Sequence, residues 1–421
     1  MRFLRRTAVI IPCLLFLVFE LGCGDQYRPI ANPIVSPGGQ PQNTYNAYVL
    51  SYNPVGFGST TQIDVSGDSN QGVLAMGYGS VAEIFQGGGV SGAIFVANRD
   101  GDSVSEVSLI GTSTTTNIGL SPGSRPVALT ATSSTQVYVA NSGTNFFCPL
   151  TGSVSVISTT SLVATNTVCV GVNPVAIVQQ PNGGYVYIAN AGDSSISVFN
   201  PVSLSVASTL TQASGLLQNP VAMVASPDGT YIYVVAQGNG TTPGWLDIIN
   251  TATNTIGGSV QVGVSPTAIY YDTFLNRLYV ANTGNNTVTV FDATNVSLGV
   301  TPPIPTLATV TVGSAPVSVA ALPNGRAFYV ANSASNTVSV VSSSSFGVVG
   351  TVSVGQKPVF IATEPSSTKV YTANSAGGNI SIIQTFDNTV VLNMPAPQQD
   401  PSCDPKIQTC ALQQPVMIMT N

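Results

Sequence analysis

Short apolar runs alternate with clusters of Gly, Pro, Asn, Asp and Ser along almost the whole chain. The stretch from Pro266 to Val312 shows the unit. "PTAIYYD" reads as one strand (a), "RLYVAN" as a second (b), "NTVTVFD" as a third (c) and "LATVTV" as a fourth (d). In strand c, Val288 and Val290 alternate with Thr287 and Thr289, the period of a strand with one covered face. Strand b is apolar nearly throughout, as a strand covered on both faces requires. The a–b gaps carry turn chemistry: "PNGG" at 181–184, "SPDG" at 226–229 and "LPNG" at 322–325. "YYDTFLNR" at 270–277, with Tyr270, Tyr271, Asp272 and Arg277, falls at the same place and reads as one more hairpin. No segment has helical periodicity.

The unit repeats. The residue ending each Tyr-Val-Ala-Asn phrase falls at Asn98, Asn141, Asn190, Gln237, Asn282, Asn332 and Asn374, with Gln237 in a degenerate copy. A weaker copy, "AYVLSYN", ends at Asn53. The period of 42–50 residues predicts the four-stranded blades of a β-propeller. Sandwiches do not repeat so regularly, and β-helix periods are shorter. A second register marks each unit: Pro126, Pro174, Pro220, Pro266, Pro316 and Pro358 each open a strand a. The phrase, the Gly-x-x-Pro opener and the period resemble the YVTN β-propeller repeat family of bacterial and archaeal surface and periplasmic proteins. The resemblance covers about residues 43–394. It implies the fold and leaves function open.

Seven full units run from Ser80 to Asn393. The N-terminal copy supplies only b, c and d: "AYVLSYN", "TTQIDV" and "GVLAMGY". The chain ends in "QPVMIMTN", which looks like a lone strand a. Pairing the two fragments closes the ring and leaves no raw sheet edge. An all-β propeller of eight blades, closed by the C-terminal strand on the N-terminal blade, is therefore expected. The alternative is seven blades with both ends as decoration.

The N-terminus reads as an export signal. Arg2, Arg5 and Arg6 precede "TAVIIPCLLFLVF", an apolar stretch too short to span a bilayer comfortably. "ELGC", ending at Cys23, resembles a bacterial lipobox, which implies lipidation of Cys23 as the mature N-terminus. Glu20 departs from that pattern, where an aliphatic residue is usual; the alternative is an ordinary secretory signal. The expected organisation is a signal peptide at 1–22, a Pro/Gly/Gln-rich tether at 23–42 and one propeller domain at 43–421.

Cys13 leaves with the signal, so Cys148, Cys169, Cys403 and Cys410 remain beside Cys23. An even number in an exported chain predicts two disulfides. Cys148 lies in an enlarged b–c loop and Cys169 near the end of strand d. These sites share one face of a blade, separated by strand c, so a Cys148–Cys169 bond is reachable. Cys403 and Cys410, in "CDPKIQTC", pair locally.

The composition narrows the chemistry. Charged residues are 7%, against about 25% in a typical soluble domain. The net charge is −6 with only 11 Lys and Arg, which argues against nucleic acid. The chain has no His, which removes Ser-His-Asp and Cys-His catalysis and imidazole metal sites. Asp100 and Asp102 stand at calcium-loop spacing, but the bidentate Glu is missing and Glu106 comes too early. With Asp64 and Asp68, they read as turn residues bonding local backbone. "QGGGVSG" (86–92) lacks the helix and Lys of a phosphate loop. Trp245 reads as a plug between blades rather than an exposed contact. No catalytic residue, metal ligand or cofactor is assigned, and ligand-binding residues stay unassigned.

The expected function is that of an exported, lipid-anchored, monomeric module in the periplasm or at the cell surface. It would bind or scaffold an envelope protein, peptide or glycan without catalysis, touching the membrane only through its lipid. The alternatives are a lactonase-like hydrolase and a structural surface-layer module. Individuality is confined to departures from the repeat: "FFCPLTG", "AQGNGTTPGW" and "CDPKIQTC".

Overall fold

A computed structural model describes residues 46–53, 56–86, 92–109, 114–131, 135–211, 217–396 and 413–420. The chain divides into two units, 1–43 and 44–421. The first, with Cys23 and the tether, lies outside the described residues, as do Cys403 and Cys410. The second is an all-β propeller of eight four-stranded blades. Strands β1 (Asn46–Tyr52), β2 (Phe57–Asp64) and β3 (Ser69–Tyr78) belong to blade 1. Blades 2 to 8 follow as β4–β7 (80–119), β8–β11 (126–169), β12–β15 (174–211), β16–β19 (220–264), β20–β23 (266–311), β24–β27 (316–353) and β28–β31 (358–395). The last strand, β32 (Gln414–Thr420), pairs antiparallel with β1, with Ala47 opposite Thr420 and Val49 opposite Ile418. The C-terminal strand thus supplies strand a of blade 1 and closes an eight-bladed ring.

The apolar pattern explains the packing. Eight buried clusters sit one at each seam between neighbouring blades. Strand b feeds two of them. In β21 (Arg277–Asn282), Tyr279 packs toward blade 7 with Val288, Val290 and Phe328. Leu278 and Val280 face Tyr233, Val235 and Leu246 of blade 5. Alternating faces of one strand serve opposite neighbours, so strand b carries no polar stripe. The strand-opening prolines sit at a β-bulge, as in the shift between Pro266 and Ala268, where a missing N–H costs no ladder bond.

The motif residues prove to be latches, between strands b and c and from blade to blade. The Asn ending strand b is fully buried at positions 98, 141, 190, 282, 332 and 374. Its Nδ2 donates to two strand-c side chains. Asn282 reaches Thr287 Oγ1 (3.1 Å) and Thr289 Oγ1 (2.9 Å), and Asn190 reaches Ser195 and Ser197 Oγ (3.0 Å each). From the preceding blade, the amide of Gly263 donates to Asn282 Oδ1 (3.0 Å) and that of Gly77 to Asn98 Oδ1 (3.1 Å), while Gly171, Gly313 and Gly355 donate to the strand-c hydroxyls of Ser197 (3.3 Å), Ser339 (3.2 Å) and Ser381 (3.2 Å). The glycine of the Gly-x-x-Pro opener is required by this approach. A Cβ at Gly263, Gly171 or Gly313 would lie 2.5–2.6 Å from the Asn side chain of the next blade. The Asn thus ties strand b to strand c in each of these six blades, and at Asn98 and Asn282 it also bonds the preceding blade.

The pairing also corrects two alignment positions. Ala236 pairs with Trp245 as Asn282 pairs with Thr287, so Ala236, not Gln237, stands at the latch position of blade 5. In blade 1 the Pro415 partner is Ser51, the equivalent of Asn282 opposite Pro266, so Ser51 and not Asn53 holds that place. Both shifts arose from aligning on amide side chains; the buried Tyr48 and Tyr233 mark the register instead.

Candidate functional site

The strands a of blades 6, 7, 8 and 1 line an open cavity of about 560 Å³. Its wall is uncharged, with Tyr270, Phe360 and Met419 among hydroxyl-bearing Thr267, Ser318 and Thr420. Several hydroxyls already bond neighbouring strands. Thr420 Oγ1 donates to the Thr363 carbonyl (2.8 Å), and Thr363 Oγ1 to that of Ala321 (2.9 Å). Burial holds the Tyr270 phenol above its ordinary range. The wall is stitched laterally and presents apolar surface to whatever enters.

The sequence-flagged carboxylates resolve into structural roles. Asp102 accepts the amides of Gly123 and Arg125, each at 2.7 Å, and so fixes the entry to blade 3. Asp100 pairs with Arg99 at 3.1 Å. Asp64 bonds the Ser66 amide (2.9 Å) in a local turn. Asp68 pairs with Lys369 at 2.7 Å, across the seam between blades 1 and 8. Asp272 caps its turn through the amides of Phe274 (2.9 Å) and Leu275 (3.1 Å). Arg277 donates to the Ser343 carbonyl (2.6 Å) and lies over the Phe346 ring of blade 7. Trp245 is half-buried at the latch level of blade 5. Among the described residues, no three His, Cys, Asp or Glu side chains come together as a metal-binding group.

Two fully buried acids, Glu83 and Asp247, are not singled out by the sequence pattern. Glu83 is fully buried on β4 (Ser80–Gln86) and points into the blade 1–2 seam, where Thr60 Oγ1 donates to it at 3.3 Å. Burial raises its pKa well above the carboxylate range, and hydrogen bonds from Thr60 and the Leu50 amide offset this only in part. The equivalent residues are apolar: Leu129, Ile177, Met223, Ile269, Val319, Ile361 and Ile418. Asp247, fully buried on β18 (Pro243–Asn250), accepts a hydrogen bond from Ser259, and its Oδ2 has no partner. Burial pushes its pKa up to about 6. Its position carries Thr289 in blade 6 and Ser339 in blade 7, the hydroxyls that receive the latch amide. Where Ala236 removes the amide donor, the hydroxyl is replaced by a carboxyl. Alignment of the eight c strands would have found it.

The distinct surface feature is the enlarged b–c loop of blade 3. Cys148 and Cys169 form a disulfide with a Cα–Cα distance of 5.4 Å, as the strand geometry predicted. Such a bond fits a chain that matures in an oxidising compartment. Phe146, Phe147 and Leu150 are 89%, 60% and 84% exposed. The two rings meet edge to face at 5.6 Å.

No protein-family model matches the chain, and no curated protein matches it in sequence. Solved structures match it in fold. Dihydro-heme d1 dehydrogenase NirN is similar with a TM-score of 0.66 and 12% identity, over 93% of this chain and 78% of that one. AztD from Citrobacter koseri gives 0.61 and 11%, over 90% and 98%. A candidate 6-phosphogluconolactonase from Bacteroides fragilis gives 0.55 and 15%, over 91% and 99%. At these identities the likeness is one of fold alone.

Proposed function

We propose that this chain is an exported, lipid-anchored cell-envelope propeller of the YVTN repeat type that acts as a non-catalytic binding or scaffold module. The observation that carries this reading is the apolar loop of blade 3, pinned by Asn145 and the Cys148–Cys169 bond. The repeated motif residues serve the ring itself: Asn to hydroxyl, Gly to Asn, hydroxyl to neighbouring carbonyl. The blade 3 loop gathers three large apolar side chains at the surface, Phe146, Phe147 and Leu150, whereas Val202, Phe274 and Phe386 are exposed in separate turns. Exposed apolar groups gathered in one ordered loop mark interaction sites. The expected partner is an envelope protein, peptide or glycan, met in the periplasm or at the cell surface.

The test is retention of partners from an envelope extract by the full chain and by Phe146→Ser/Phe147→Ser, run beside a lactone-hydrolysis assay. Retention that depends on the loop supports the reading. No retained component together with turnover on lactones defeats it. Anchoring is read separately: Cys23→Ser should abolish incorporation of labelled fatty acid and release the protein from membranes.

A further inference from the structure

The blade 3 loop has a geometry that goes beyond exposure. Four residues separate Asn282 from Thr287 in blade 6, and eleven separate Asn141 from Ser153 in blade 3. The added length carries Phe146, Phe147, Cys148, Pro149 and Leu150. Asn145 is buried beneath them and acts as a hub. Its Nδ2 donates to Ser124 Oγ (3.2 Å) and Ser153 Oγ (3.1 Å), and its Oδ1 accepts the amides of Phe147 and Cys148, each at 3.0 Å. Its own amide donates to the Cys148 carbonyl at 3.2 Å. Cys148 is buried and bonded to Cys169 on the neighbouring strand. The two aromatic rings are therefore presented on a fixed base.

Arg125 stands at that base. Its carbonyl accepts both the amide and the hydroxyl of Ser142, each at 3.1 Å, and its own amide is held by Asp102. Its side chain is exposed and forms no ion pair among the described residues. On a chain of net charge −6, an exposed unpaired cation beside an apolar knob calls for an anionic group opposite.

We propose that this knob docks into an apolar cleft of a partner protein, with a carboxylate at the cleft's rim facing Arg125, and that the Cys148–Cys169 bond holds the docking geometry. The proposal rests on reading the chain as a binding module and names the surface and partner chemistry. A lipid bilayer is disfavoured by the same observations. A fluid interface gains nothing from a fixed edge-to-face ring pair, three side chains give only marginal membrane affinity, and an anionic leaflet repels an acidic chain. A shaped cleft does gain, because ordering the loop is no longer part of the cost of association.

The experiment places a photo-crosslinking phenylalanine analogue at Phe147 in the full-length protein in its native envelope, with the same analogue at exposed Val202 as control. The partner is identified from the adduct, purified and titrated. One heterologous adduct specific to position 147 is expected. Phe146→Ser/Phe147→Ser should weaken binding about 100-fold. Arg125→Glu and Cys148→Ser/Cys169→Ser should each weaken it about 10-fold, with a reduced salt dependence for Arg125→Glu. The melting temperature controls for folding, and Arg125→Glu, at the surface, should leave it unchanged. Equal adducts from both positions, a self-adduct, no adduct, or binding unaffected by these variants overturns the proposal. So does knob-dependent binding of the wild type to phosphatidylethanolamine–phosphatidylglycerol vesicles. If envelope partners are retained regardless of the knob, only this docking surface falls. If nothing is retained and lactones are hydrolysed, the binding-module reading itself falls.

Discussion

Gly263 and Asp247 show how single residues carry the ring. Gly263 must lack a side chain because Asn282 of the next blade occupies the space, 2.6 Å from a would-be Cβ. Gly263→Ala should lower stability by about 1–3 kcal/mol in thermal or denaturant unfolding. Gly72→Ala, where nothing lies within 4 Å, should be nearly neutral. Asp247 acts through its proton. Its folded-state pKa is raised to about 6, above its unfolded value, so folding favours the protonated form. Its contribution is therefore fully present at low pH and is lost as pH rises through about 4 to 6. At pH 7 the loss is about 3 kcal/mol as an order of magnitude. Asp247→Ser, which restores the hydroxyl of other blades, should match wild type near pH 4 and exceed it in melting temperature at pH 7. Equal melting temperatures at pH 7 would show that Asp247 has another partner.

At the scale of elements, the strands were legible because their signal is local. Apolar alternation, turn residues and strand-opening prolines all lie within a few positions of the backbone they shape. The function of the Asn was not legible, because its partners lie on another strand and another blade. The displaced markers Asn53 and Gln237 have the same origin: an amide near the end of strand b looks right in one dimension, while pairing selects Ser51 and Ala236. The blade 3 loop was visible as a departure, but a Phe-Phe pair in a sequence gives no sign of facing water. Its disulfide closes a span of 21 residues, and the β10–β11 ladder (Ser153–Ser158 with Val163–Cys169) does not depend on it. Cys148→Ser/Cys169→Ser should cost about 3 kcal/mol by loop-closure entropy. Faster hydrogen exchange should be confined to residues near 142–152, with β10 still protected. Loss of protection across the blade would contradict the local role.

The whole molecule depends on one long-range pairing, between β1 and β32. Deleting residues 413–421 should strip blade 1 of its inner strand and leave Val49 and Tyr48 without their partner. The expected result is a large fall in melting temperature, with exchange protection lost first in β1–β3. Protection unchanged there would mean that closure contributes little. Glu83 belongs to the same region. Its raised pKa means the acid form is favoured on folding, so stability falls as pH rises. Glu83→Gln should slow the exchange of blades 1 and 2 above neutrality and change little in acid.

Eight near-identical blades also pose a problem of address. Most strands a share a Pro-Val opening and could lie against any strand b, and a ring that closed one unit short would satisfy most of the same latches. Glu83 with Thr60 on one side of blade 1, and Lys369 with Asp68 on the other, occur at no other seam among the described residues. A ring that skipped blade 1 would bury Glu83 against an aliphatic neighbour and leave Lys369 without its carboxylate, both unfavourable outcomes. The two departures beside the closing blade thus act as mismatched keys, rejecting the wrong circle as well as holding the right one.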